Sequence, residues 1–260
     1  MRIHLLPILQ ERGPSDALGW LFSSDGDFAL PIAAEIAAAS LLHLRSSEPA
    51  EVEGSVHALS ILRDHHFQLL PETVAQIDDA LQADVEFIIS QRNEKAAWWT
   101  ANFLGSTRPP AGRALLWNLI DAGMAKEQSL ICITWFHDTS DLPRLTAIVN
   151  QYNSSDPNGS TQFSVVMDMQ TQYGTVTRPY LRDILASSKQ TWVRTAAAEG
   201  LVQMNDRAGW EFFVEVVRQR PLYREEMVRW LGDMFPAVRD ANDAAIVNFL
   251  ESKVATATAE

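Results

Sequence analysis

The side chains able to do chemistry are few and scattered. Six histidines and one cysteine occur in 260 residues. Histidines and carboxylates cluster twice, in "RDHHFQ" (Asp64, His65, His66) and in "WFHDTSD" (His137, Asp138, Asp141). Imidazoles and carboxylates that converge from separate helices make metal sites. A His-Asp pair at one helix end can instead answer the helix dipole. Cys132 sits in the most apolar stretch, "SLICITWF" (129–136), with no histidine beside it, and reads as packing. Glu86 and Glu94, eight apart, read as ordinary helix surface. No P-loop, G-x-S-x-G or G-x-G-x-x-G is present. On these grounds no catalytic residue, no metal ligand and no cofactor is assigned.

Arginines give a better lead. Nine of them lie between Arg178 and Arg239, among Tyr180, Trp192, Trp210, Tyr223 and Trp230. Arg, Trp and Tyr are the types enriched where binding energy concentrates. Trp192, Arg194, Trp210, Tyr223, Arg224 and Trp230 are therefore the candidate binding residues. Carboxylates interleave them, including Asp183, Glu199, Asp206, Glu211, Glu225 and Asp233. That mixture reads as ion pairing along and between helices more than as a phosphate track.

Charge narrows the partner. The formal net charge is −12 and the sequence pI about 4.9, which argues against a nucleic-acid backbone as ligand. Residues 1–170 hold 10 Lys and Arg against 21 Asp and Glu, so the acidic excess lies in the first two thirds. A protein or peptide partner of basic character fits that surface. A single cysteine allows no intrachain disulfide and fits a reducing, cytoplasmic setting. No run reaches the ~20 apolar residues of a membrane-spanning helix.

The elements that must position these residues read as helices. Residues 28–45 are rich in alanine and leucine. Val56, Leu59, Leu62 and His66 share a face, Pro71 opens the next helix, and Gly105 is placed to cap the one after. "SLICITWF" suits a buried strand or a buried helix; the lack of a partner strand selects helix. Beyond Asp141 the period is clear: Leu145, Ile148, Val149 and Tyr152, then, after a loop at 153–160, Phe163, Val166 and Met167. Val193, Ala196, Ala197, Gly200 and Leu201 follow the same spacing.

Residues 180–204 and 210–234 align without gaps at a shift of 30. Arg194 falls on Arg224, Leu201 on Leu231 and Met204 on Met234. The stretch "WVRTAAAEGL" resembles the second helix of a HEAT-like repeat, the short phycobilisome-lyase type. Val193, Arg194, Ala197, Gly200 and Leu201 carry the match. The next copy, "LYREEMVRWLG", keeps Arg224 and Leu231 but puts Met227 and Trp230 where small residues stood. The acidic residue usual before the valine–arginine pair is absent. The resemblance implies an all-α, right-handed alpha-alpha superhelix: a single helical-repeat domain over 1–260, clearest in 141–254, with less regular hairpins in 1–140. One such helix pair cannot bury its apolar face alone, so copies stack.

Two other resemblances imply an enzyme on a helical scaffold. The histidine segments resemble those of HD-type metal phosphohydrolases, although the span from His66 to His137 is long and no downstream aspartate matches. The arginine-and-aromatic surface is similar to that of helical-repeat DNA glycosylases. The leading expectation remains a non-catalytic scaffold or adaptor that binds a protein partner on a curved repeat surface. For Arg194 and Arg224 the competing expectation is an arginine ladder tying neighbouring repeats.

Overall fold

The structure is a computed structural model that describes residues 29–64, 69–151, 159–219 and 224–258. It is all-α. Fourteen α-helices occur among the described residues, and no strand beyond one isolated bridge between Asp206 and Thr258. The chain's contacts divide it into two compact units, residues 1–136 and 137–260.

The first unit contains α1 (Ala29–His43), α2 (Pro49–Asp64), α3 (Pro71–Ala83), α4 (Val85–Ser90), α5 (Glu94–Thr107), α6 (Gly112–Asp121) and α7 (Lys126–Thr134). α2, α5 and α7 pack in succession, and α1 and α6 back them as hairpin partners. Val56, Leu59 and Leu62 face the core as their spacing requires. Pro71 opens α3, where its missing N–H costs nothing. The expected single helix from Pro71 onward breaks at Asp84, a buried carboxylate that accepts a 2.6 Å bond from Arg45 Nε.

Two expectations resolve here. "SLICITWF" is helical through Thr134, with Leu130, Cys132 and Ile133 buried. Gly105, expected as a cap, lies inside α5 instead. The helix runs on to Thr107 and ends at Arg108, which takes a left-handed conformation at φ 48°. A Cβ at Gly105 would stand 2.6 Å from Cys132 Sγ and 2.7 Å from its Cβ, so this glycine lets α7 approach α5. The sequence signal was real, but its cause is packing.

The second unit contains α8 (Leu142–Val149), α9 (Ser160–Tyr173), α10 (Arg178–Ser187), α11 (Thr191–Gln203), α12 (Arg207–Gln219), α13 (Arg224–Met234) and α14 (Asp243–Thr256). α9, α11 and α13 follow one another about thirty residues apart, as do α10 and α12. α8 stands outside that register; most of the loop read at 153–160 lies outside the described residues. α8 packs on α10 and α9 on α11, so like elements of adjacent hairpins meet. α12 then packs on α11 and α14. Val193, Ala196, Ala197 and Leu201 are fully buried, as are Phe213, Met227 and Leu231.

Buried polar ties close the turns. Asp206 is wholly buried at the α11–α12 junction. It takes 2.7 Å from Arg182 and 3.7 Å from Arg178, and its Oδ1 accepts from the Ala208 N–H. Thr258 bonds with the Asn205 carbonyl through both its N–H and its hydroxyl.

Candidate functional site

The place to look is where the thirty-residue pattern is broken. On α11 the side facing α9 is small: Ala196, Ala197 and Gly200. A Cβ at Gly200 would sit 2.5 Å from Gln170 Cδ, and Gln170 Nε2 donates to the Ala196 carbonyl at 2.7 Å. α9 therefore lies close along α11. On α13 the corresponding positions hold Glu226, Met227 and Trp230. Here α13 does not lie along α11 as α9 does, and it meets α12, where the Trp230 ring stacks on Phe213 at 5.4 Å.

The result is a groove of about 290 Å³ lined by α9, α11 and α13. Phe163 comes from α9; Trp192, Thr195 and Glu199 come from α11; Glu226, Met227, Arg229, Trp230 and Asp233 come from α13. Positions 192, 195 and 199 are spaced i, i+3, i+7 and so share one side of α11. Thr195 and Glu199 are buried at the floor. Trp192, Trp230 and Phe163 are half-buried, and Glu226, Arg229 and Asp233 are exposed at the rim.

Glu199 is 8% exposed and accepts from its own helix neighbour Gln203 at 3.3 Å. Burial pushes its carboxyl up to about 7, opposed by the weaker pull of that amide. An acid poised near neutrality in a concave site is a functional candidate on physical grounds.

The six sequence-predicted residues separate. Trp192 and Trp230 line the groove. Trp210 does not: it is 3% exposed, packs against Phe235 and Phe249, and donates Nε1 to Asn205 at 3.3 Å. As a binding residue it is corrected to a core residue, and its own spacing with Phe213, Val214 and Val217 marked the core face. Tyr223 lies outside the described residues.

Arg194 and Arg224 are both engaged with neighbouring helices. Arg194 Nε donates to the Leu185 carbonyl at 3.1 Å, and its guanidinium lies 5.2 Å from the centre of the Phe212 ring in α12. Arg224 pairs with Asp243 in the first turn of α14. Both reach the next helix, as a ladder would, but only Arg224 ends on a carboxylate.

Other arginines are also engaged, Arg207 with Glu211, Arg218 with Glu251 and Arg239 with Asp233. His137 donates from Nδ1 to the Gln172 carbonyl at 3.0 Å, and Asp138 accepts from the Ser140 N–H at 3.0 Å. His65 and His66 lie outside the described residues. Among the described residues no three His, Cys, Asp or Glu side chains converge as a metal would require, and no helix is long and apolar enough to cross a membrane.

Sequence reasoning missed Glu199, Phe163 and Arg229 as site residues. In the sequence Glu199 reads as one of the carboxylates interleaved with arginines. Its spacing from Trp192 was the available signal. Comparison with family models, with curated proteins and with solved structures finds no match to this chain.

Proposed function

We propose that this chain is a non-catalytic binding module that takes a segment of a basic protein or peptide partner along the groove between α11 and α13. The observation that carries the reading is the groove's lining: two indoles and a phenyl ring beside three carboxylates and one arginine. Aromatic surface supplies contact area at low entropic cost, and acidic rim residues favour a basic partner and speed its encounter. Most arginines in this half are held by carboxylates, a carbonyl or a ring, which leaves little free positive surface for a phosphate backbone. The HEAT-like kinship belongs to the same proposal, supported by the thirty-residue succession of helices.

The test is a solution-binding screen of fourteen-residue peptides that differ only in net charge, read by calorimetry. Basic peptides bind and acidic ones do not, and Trp192→Ala together with Trp230→Ala weakens binding at least tenfold. Equal binding across the charge series, or binding untouched by the double variant, removes the reading.

A further inference from the structure

The groove has more specific chemistry than a generally acidic surface. Its carboxylates stand at two depths: Glu226 and Asp233 at the exposed rim, and Glu199 nine-tenths buried at the floor. A rim carboxylate attracts any cation and is screened by salt. A floor carboxylate rewards only a group that can leave water and come down to it. Trp192 and Trp230 also line the groove; Trp230 stacks one face on Phe213, and indole faces favour a cation.

Resting on the reading above, we propose that the groove takes one guanidinium group, an arginine side chain of the partner, with Glu199 as its carboxylate and the indoles of Trp192 and Trp230 as its walls. Guanidinium is favoured over ammonium by three features. It is planar and stacks on rings, it is weakly hydrated and so cheaper to bury, and it bonds a carboxylate through two parallel N–H groups. Glu199 has the capacity to accept both. One oxygen now takes the Gln203 amide, an intrahelical bond at 3.3 Å that a charged donor can displace.

The surrounding charges are consistent with a cationic guest. Around Glu199 the ionisable residues lining the groove are Glu226, Asp233 and Arg229, all from α13. Arg229 and Asp233 are exposed, and both also line a second cavity of about 400 Å³ along α13, with Arg224 and Arg239. With Glu199 ionised, the lining carries Glu199 and Glu226 against Arg229, while Asp233 is already paired with Arg239. A guest cation favours that ionised form, so its arrival releases a proton near neutrality.

The probe is n-propylguanidinium, compared with the neutral isostere n-propylurea. The readout is the indole N–H resonances of Trp192 and Trp230, assigned by single Trp→Phe variants. Propylguanidinium shifts both resonances and binds at least about tenfold more tightly than propylurea, and n-propylammonium falls between them. Glu199→Gln keeps the shape of the floor and lowers the guanidinium affinity about fivefold or more, leaving the urea unchanged. Trp192→Leu weakens the cation independently of Glu199. Calorimetry in two buffers of different ionisation enthalpy detects proton release in the wild type and none in Glu199→Gln. Equal binding of cation and urea, or no shift of either resonance, overturns the proposal. Because the probe is a small molecule, that failure is separate from failure of the peptide screen: peptides that bind through the groove without a guanidinium preference leave the module and remove only its arginine.

Discussion

The guanidinium of Arg194 lies 5.2 Å from the centre of the Phe212 ring while its Nε donates to the Leu185 carbonyl at 3.1 Å. One side chain thus joins the end of α10, the body of α11 and the body of α12. Arg194→Ala loses a charge-assisted bond and a cation–ring contact, a cost of about 1–3 kcal/mol. Thermal unfolding followed by circular dichroism measures it. The variant binds propylguanidinium like the wild type. An unchanged melting temperature with lost binding would return Arg194 to the site.

Asp206, wholly buried in the second unit, holds Arg182, Arg178 and the Ala208 N–H at once. Asp206→Ala removes the carboxylate shared by Arg182 and Arg178, each about a third exposed, and costs about 1.5–3 kcal/mol. Urea titration reads the loss. Arg207→Ala, whose partner Glu211 is exposed, costs under about 1 kcal/mol in the same assay.

Gly105→Ala drives a methyl group against Cys132 Cβ and Sγ and the Trp135 ring, all within 2.9 Å. Alanine favours a helix over glycine by about 1 kcal/mol. The clash outweighs that gain because Cys132 is fully buried and cannot swing away. The net effect is destabilisation by about 1–2 kcal/mol, visible as a lowered melting temperature. A stabilised variant would show that α7 can slide away from α5.

Glu199 makes stability depend on pH with a sign opposite to that of a salt-bridged acid. Its carboxyl sits near 7 when folded and near 4.5 when exposed. Between those values the folded chain holds a proton that the unfolded chain has released, so stability falls as pH rises through that window. The contribution is complete below about 4.5 and gone above about 7. Asp168, raised by its own burial, acts in the same direction starting from its lower ordinary value of 3.8. Melting temperatures measured from pH 4.5 to 8 fall in the wild type and flatten in Glu199→Gln. An equal slope in both would locate the titration elsewhere.

The fold was more legible in the sequence than the site. Helical spacing in α9, α11 and α12 needs only local pattern, and the shift of 30 located α13 from α11. Side-chain type was a poorer guide to the site. Trp210 and Trp192 look equivalent in composition, yet one packs against Phe235 and Phe249 and the other lines a groove. What separates them is the helix side each occupies relative to the apolar stripe. Glu199 was obscured because a carboxylate among arginines suggests a pair. Its depth depends on how far apart α11 and α13 stand, which is a tertiary quantity. Gly105 shows the same limit: the residue was singled out, but its neighbour Cys132 lies 27 positions away along the chain.

Gly200 and Trp230 occupy corresponding places thirty residues apart. Small residues at one station let two helices lie close, and a bulky residue at the matching station stands where the packing opens into a hollow walled by Trp192, Thr195 and Glu199. In helices that follow one another at a fixed spacing, the residue too large for its station marks where the packing opens.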